Sequence, residues 1–248
     1  MYPASQEPTF RAMSAGVIPA ERAAFLRKVY LLVTGAVAVS AATAAFATLS
    51  GTPLEVGDGL LVPPLIASEL AHPFLGLILL FGGTLGASAV ARKPGLNVVA
   101  LLGLSAVMGL VMAPAIFFAQ LSASRGHALT ASPVLHSFAI AVTGFVGLSA
   151  YAIVSRRDFS MLGGMLSMGL FVVIGASVLN MFFGGAVFGL SIASAVVLLF
   201  GGYVLYDTSR MLRSGEDEPV VVALSLYLNF LNLFMALLRI FSGGRRGD

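Results

Sequence analysis

Asp207 is the one acidic residue inside any of the long apolar stretches of this chain, and an ionisable side chain costs several kcal/mol to place in hydrocarbon. It stands in Tyr203-Val204-Leu205-Tyr206-Asp207-Thr208-Ser209-Arg210. If that stretch ends in a helix capped by Gly215, Asp207 lies about 12 Å from the end at 1.5 Å per residue. In the next apolar stretch Ser225, Asn229, Asn232, Ala236 and Arg239 recur at helical spacing and form one polar stripe on an apolar cylinder. A helix starting at Pro219 puts Asn229 about 15 Å in, close to the depth of Asp207, so a hydrogen bond between the two is expected. Arg210, one turn from Asp207, and Arg92, from an earlier basic end, can reach the same layer. A helix with such a stripe is expected to be enclosed by others. Asp207 then has two readings: a proton or cation site, or a structural anchor satisfied by Tyr, Asn or Arg.

The elements that must position these groups are membrane spans. Of the 248 residues 58% are apolar and 10% charged, against the quarter that a soluble surface requires, and the mean hydropathy is +0.97. Crossing the hydrocarbon takes about 20 mostly apolar residues. Seven stretches qualify: 25–49, 73–91, 98–121, 134–154, 161–183, 187–212 and 220–241. The apolar stretch 59–70 is short and contains Pro63 and Pro64, so it is expected to be an interfacial loop. The organisation expected is a tail at 1–22, a membrane domain at 23–241 and a short tail at 242–248.

Orientation follows from the Lys and Arg residues, which collect in cytoplasmic loops. With the N-terminus inside, the inner segments hold Arg11, Arg22, Arg27, Lys28, Arg92, Lys93, Arg156, Arg157, Arg210 and Arg213, ten of the fourteen basic residues. Seven crossings then put Arg245 and Arg246 outside, against that rule. The acidic run Glu216, Asp217, Glu218 is expected to be a solvated loop, and at most a weak approach of calcium is expected at Asp207 itself.

Other chemistry lacks residues. No Cys is present, so disulfides and thiolate sites are excluded. His72, His127 and His136 lack the i, i+4 pairing of a helical zinc site, and no metal site, resident cofactor or enzymatic activity is expected. The charge is too scattered for nucleic acid. The expected partner is the lipid bilayer, and the sequence sets no oligomeric state. Small residues must pack the bundle, and Gly82 with Gly86 and Gly185 with Gly189 form GxxxG pairs suited to that. Two three-helix units of opposite topology are present in the order of spans, without a sequence repeat between them.

The run Tyr206-Asp207-Thr208, the acidic loop, Ala223-Leu224-Ser225-Leu226-Tyr227-Leu228-Asn229-Phe230-Leu231-Asn232-Leu233-Phe234 and Leu237-Leu238-Arg239 resembles the C-terminal signature of the Bax inhibitor-1 family. Arg27-Lys28-Val29-Tyr30 and Leu148-Ser149-Ala150-Tyr151-Ala152 are similar to its first and fourth helices. The resemblance implies an all-α integral membrane fold of seven helices, with two three-helix layers around a central C-terminal helix. It also implies a pH-influenced calcium or cation leak, in which two aspartates share a proton and an arginine breaks the pair. Asp207 matches the first aspartate, Asn229 stands at the second, and Arg92 corresponds to the arginine. Asn229 leaves the di-acid incomplete, and without like-charge coupling a shallower pH dependence or none is expected. Asn232, Ser225 and Arg210 complete the polar shell. The family's bacterial branch implies an inner-membrane location and an alternative role, modulation of a membrane-anchored FtsH-type AAA+ protease without transport.

Overall fold

The computed structural model describes residues 20–56, 59–126, 128–155, 157–213 and 218–243. Their element order is α1 (Ala20–Leu49), β1 (Leu54–Val56), β2 (Leu60–Val62), α2 (Pro64–Ala71), α3 (Pro73–Val90), α4 (Asn97–Ser124), α5 (Pro133–Ser155), α6 (Leu162–Phe183), α7 (Ala186–Arg213) and α8 (Pro219–Ser242). Six of these helices are long and apolar enough to cross a bilayer. α2 and α3 pass the same test only as a pair, bent by 94° at their break, and counted as one span they bring the total to seven. The chain is an all-α multi-pass membrane protein. Gly215 lies outside the described residues, and α1 begins at Ala20, ahead of the boundary expected at 23.

The most enclosed helix is α8, with 67% of its most apolar window buried against 33% or less in every other spanning helix. It packs on α1, α4, α5 and α7, while α3 lies outside against α4 and α6 outside against α7. Within each three-helix unit the first helix packs on the third and the second packs on the third: α1 and α3 on α4, then α5 and α6 on α7. The units therefore share one packing plan although their sequences show no repeat, as inverted repeats do. Edge-to-face rings join α5 to the central helix, Phe145 to Phe230 at 5.7 Å and Phe138 to Phe230 at 6.0 Å between centroids. The lipid-side helix α6 exposes Phe171, Met181, Phe182 and Phe183.

The close seams use other glycines than the GxxxG spacing suggests. A Cβ on Gly109 of α4 would overlap Thr43 Oγ1 and the Ser40 carbonyl of α1. Between α6 and α7, Gly202 admits Leu166, Gly169 admits Leu199 and Gly163 admits the Tyr206 ring, with 2.7, 2.9 and 3.0 Å to a Cβ built at each. Gly82 and Gly86 have nothing within 4 Å of such a Cβ, so the expectation that this pair packs the bundle is corrected. Gly185 is not helical; it follows Gly184 in the tight α6–α7 reversal, with φ of 62° at Gly184 and 131° at Gly185, which L side chains rarely adopt.

The loop expected at 59–70 is also corrected. It holds strand β2 of a two-stranded antiparallel hairpin and then α2. Pro64 opens α2 at its first turn, where the missing N–H costs nothing. Val62 and Ile66 are buried against Ala47 of α1 and Ala113 of α4, so the segment closes one end of the bundle. At eight residues, about 12 Å, α2 is too short to cross.

Candidate functional site

Near its C-terminus α7 turns Asp207 toward α8, because Val204, Thr208 and Met211 on the adjoining face are buried in the core. α8 presents Asn229, itself buried, between Leu226, Tyr227, Phe230 and Leu233. Asn229 Nδ2 donates to Asp207 Oδ2 at 2.7 Å, so the hydrogen bond expected between the two helices is present. Thr208 beside it is fully buried, and its hydroxyl has no partner among the described residues.

The remaining polar residues of the layer are placed differently. Arg210 is exposed and close enough for its charge to act on the Asp207 carboxylate. Arg92 is exposed in the turn between α3 and α4, at the same end of the bundle. Ser225 and Asn232 are exposed and satisfied by their own helix, Asn232 Nδ2 donating to the Leu228 carbonyl at 2.8 Å and Ser225 Oγ to that of Val221 at 3.5 Å. The stripe is therefore not enclosed along its length: Asn229 turns inward, while Ser225, Asn232 and Arg239 follow an exposed edge of α8. Seven-residue spacing keeps those three on one line, and at Asn232 and Arg239 a cleft between α8 and its neighbours α4 and α7 leaves that line open.

A second polar contact in the core was not anticipated from the residues. Tyr227 is fully buried, and its hydroxyl lies 2.6 Å from Ser40 Oγ of α1. Ser40 Oγ donates to the Ser105 carbonyl of α4 at 2.8 Å, so its single proton is committed and Tyr227 is the donor in the first bond. Three helices meet in this chain. A Tyr in a buried apolar run signals that its hydroxyl needs a partner, but Ser40 and Ser105 read as small packing residues.

The end of the bundle near Asp207 is tied together by polar contacts. Arg22 of α1 donates to the Met211 carbonyl near the end of α7, where a cation suits the helix dipole, and lies 4.6 Å from the Phe25 ring centroid. Glu218, expected in a solvated loop, instead caps α8, accepting from Val220 N at 3.4 Å, and accepts from Asn97 Nδ2 of α4 at 3.0 Å. Glu216 and Asp217 lie outside the described residues. Ser209 Oγ accepts from Phe159 N at 3.2 Å and fastens the α5–α6 turn to α7. In that turn Asp158 accepts from Ser160 N at 2.9 Å and faces Arg213 at 3.8 Å. The Ser160 hydrogen bonds, with a smaller contribution from Arg213, hold the Asp158 carboxyl below its usual range. Any stability this contact supplies is therefore present at neutral pH and lost only as the pH falls through that lowered value.

No group of three His, Cys, Asp or Glu side chains is placed to hold a metal among the described residues, and His127 lies outside them.

Comparison with known proteins places the chain. Residues 22–246 match the family model described as inhibitor of apoptosis-promoting Bax1, and the chain belongs to this Bax inhibitor-1 family. It is 36% identical over 149 residues to an uncharacterized protein of Campylobacter jejuni, covering 60% of this chain and 62% of the relative. It is 41% identical over 107 residues to protein lifeguard 4 of Mus musculus, covering 43% of this chain and 45% of that protein. It is 30% identical over 223 residues to the modulator of FtsH protease YccA of Escherichia coli, covering 87% of this chain and 88% of that protein. The match thus spans under two thirds of the length of the first two relatives and most of the third.

Proposed function

We propose that this member of the Bax inhibitor-1 family is a cation leak, with calcium as the ion, closed by the Asp207–Asn229 contact. The observation that carries the reading is the 2.7 Å hydrogen bond joining the carboxylate of α7 to the amide of the central helix. A lone acid at membrane depth is costly, and its position between two helices gives it a role as a cation ligand once the amide turns away. Arg210, with Arg92 at the same end of the bundle, competes for the carboxylate, and Ser225 and Asn232 complete the polar shell on the exposed edge of α8. The reading involves no enzymatic step and no resident cofactor. Calcium efflux from proteoliposomes loaded with an indicator tests it: efflux that depends on Asp207 supports the leak, and none from a folded protein overturns it.

The chain lies in a bacterial inner membrane with its N-terminus in the cytoplasm. Arg22, Arg27, Lys28, Arg92, Lys93, Arg157, Arg210 and Arg213 gather at one end of the bundle, whereas Arg125 and Arg239 are the basic residues toward the other among those described.

A second reading is favoured by the likeness to YccA over nearly the full length of both proteins. On that reading the chain binds a membrane-anchored FtsH-type protease and moves no ion. Co-purification from membranes discriminates the two. A modulator retains the protease in the Asp207→Asn variant and loses it when the segment before Glu21 is removed, while a leak without this partner retains no protease in either form.

A further inference from the structure

Arg239 is exposed one turn from the end of α8, at the end of the bundle away from the basic cluster. Its guanidinium rests on the first turn of α7, where a Cβ on Gly189 would collide with Nη2, so Gly189 makes the seat. Among the described residues this guanidinium has no ion pair and no hydrogen bond. Beside it a cleft of about 540 Å³ runs between α4, α6, α7 and α8, within the volume range of sites that take small organic ligands. Its walls include Phe118, Ile192 and Met235, with Asn232 further in. The hydroxyls of Ser122 and Ser177, which also line it, already donate to backbone carbonyls. The cleft is thus mostly apolar, with Asn232 in its wall, and cationic at its mouth.

We propose that this cleft seats an anionic phospholipid, its phosphodiester bridged by Arg239 and one acyl chain lying along Phe118, Ile192 and Met235. The planar guanidinium matches two phosphate oxygens, and the N-terminus of α7 beneath it adds charge of the same sign. One turn from a helix end is headgroup depth for a spanning helix, and the molecules that surround the cleft there are lipids. A zwitterionic lipid carries its own cation on the same headgroup and gains less. One basic residue near a lipid surface contributes on the order of a fivefold preference for an anionic headgroup.

Native mass spectrometry of the purified full chain, incubated with palmitoyl-oleoyl phosphatidylglycerol or phosphatidylcholine, tests the proposal. The expected result is about fivefold greater retention of phosphatidylglycerol, lost in Arg239→Gln and retained in Arg125→Gln. Gly189→Ala displaces the guanidinium without removing its charge, favours the helix of α7, and is expected to lower the preference as well. Equal retention of the two lipids by the native chain overturns the proposal, as does a preference that survives both Arg239→Gln and Gly189→Ala. Full displacement of the lipid by inorganic phosphate overturns it in favour of a simple anion site. A dimer that dissolves in Arg239→Gln without any lipid preference overturns it in favour of a second copy in the cleft.

Discussion

Replacing Asn229 with Leu costs the detergent-solubilised protein about 3 kcal/mol of stability, because the half-buried Asp207 carboxylate loses its 2.7 Å donor. Leu fits the apolar surroundings of Leu226, Phe230 and Leu233, so the loss is electrostatic in origin and not a packing defect. The net worth of the pair is smaller, about 1 to 2 kcal/mol, since an unfolded segment in the membrane also finds partners. A double-mutant cycle separates the two quantities: Asp207→Asn combined with Asn229→Leu recovers part of the loss, as the group left behind is then neutral. The chain has no Trp, so melting is followed by circular dichroism. Asn232→Leu is the control, because Asn232 is exposed and bonds only to its own helix among the described residues. Equal costs for Asn229→Leu and Asn232→Leu contradict the account of the contact.

Gly109→Val destabilises by a similar amount, about 3 kcal/mol, for a steric reason. The Cβ meets Thr43 Oγ1 and, behind it, the Ser40 backbone carbonyl. A side chain can rotate aside, but a carbonyl in the middle of α1 moves only with its helix. Ser40 also holds the hydrogen bonds to Tyr227 and the Ser105 carbonyl, so separating α1 from α4 strains that junction too. Gly82→Val is expected to leave the melting temperature almost unchanged, since nothing lies within 4 Å of the site. A loss in Gly82→Val as large as that in Gly109→Val contradicts the assignment of the seam.

The contrast between these glycines marks what a sequence can hold. GxxxG spacing describes the surface of one helix, whereas close approach is a property of two, and Gly109 has no partner glycine to announce it. Span positions were legible because hydrocarbon imposes length and composition on every crossing. The pairing of Asp207 with Asn229 was legible for a related reason: depth can be counted from helix ends when the rise per residue is fixed. Direction around the helix axis is less constrained. Ser225, Asn229 and Asn232 share one stripe, yet only Asn229 faces α7, because a rotation of some tens of degrees separates an interface from an open edge. At 59–70, Pro63 and Pro64 suggest a break, but a Pro at the first turn is also how a helix starts. Glu218 follows the same logic, standing at the cap directly before Pro219, the first residue of α8.

On the proposed function, parting Asp207 from Asn229 opens a cation path. Calcium efflux from indicator-loaded proteoliposomes at pH 6 and pH 8 tests it most directly, with the native chain beside Asp207→Asn and Asn229→Asp. The account predicts that Asp207→Asn alters the efflux. A shallow pH dependence or none is expected in the native chain and a steeper one in Asn229→Asp, where two carboxylates must share a proton. No efflux from any of the three folded proteins contradicts it, and the likeness to a protease modulator then becomes the leading account.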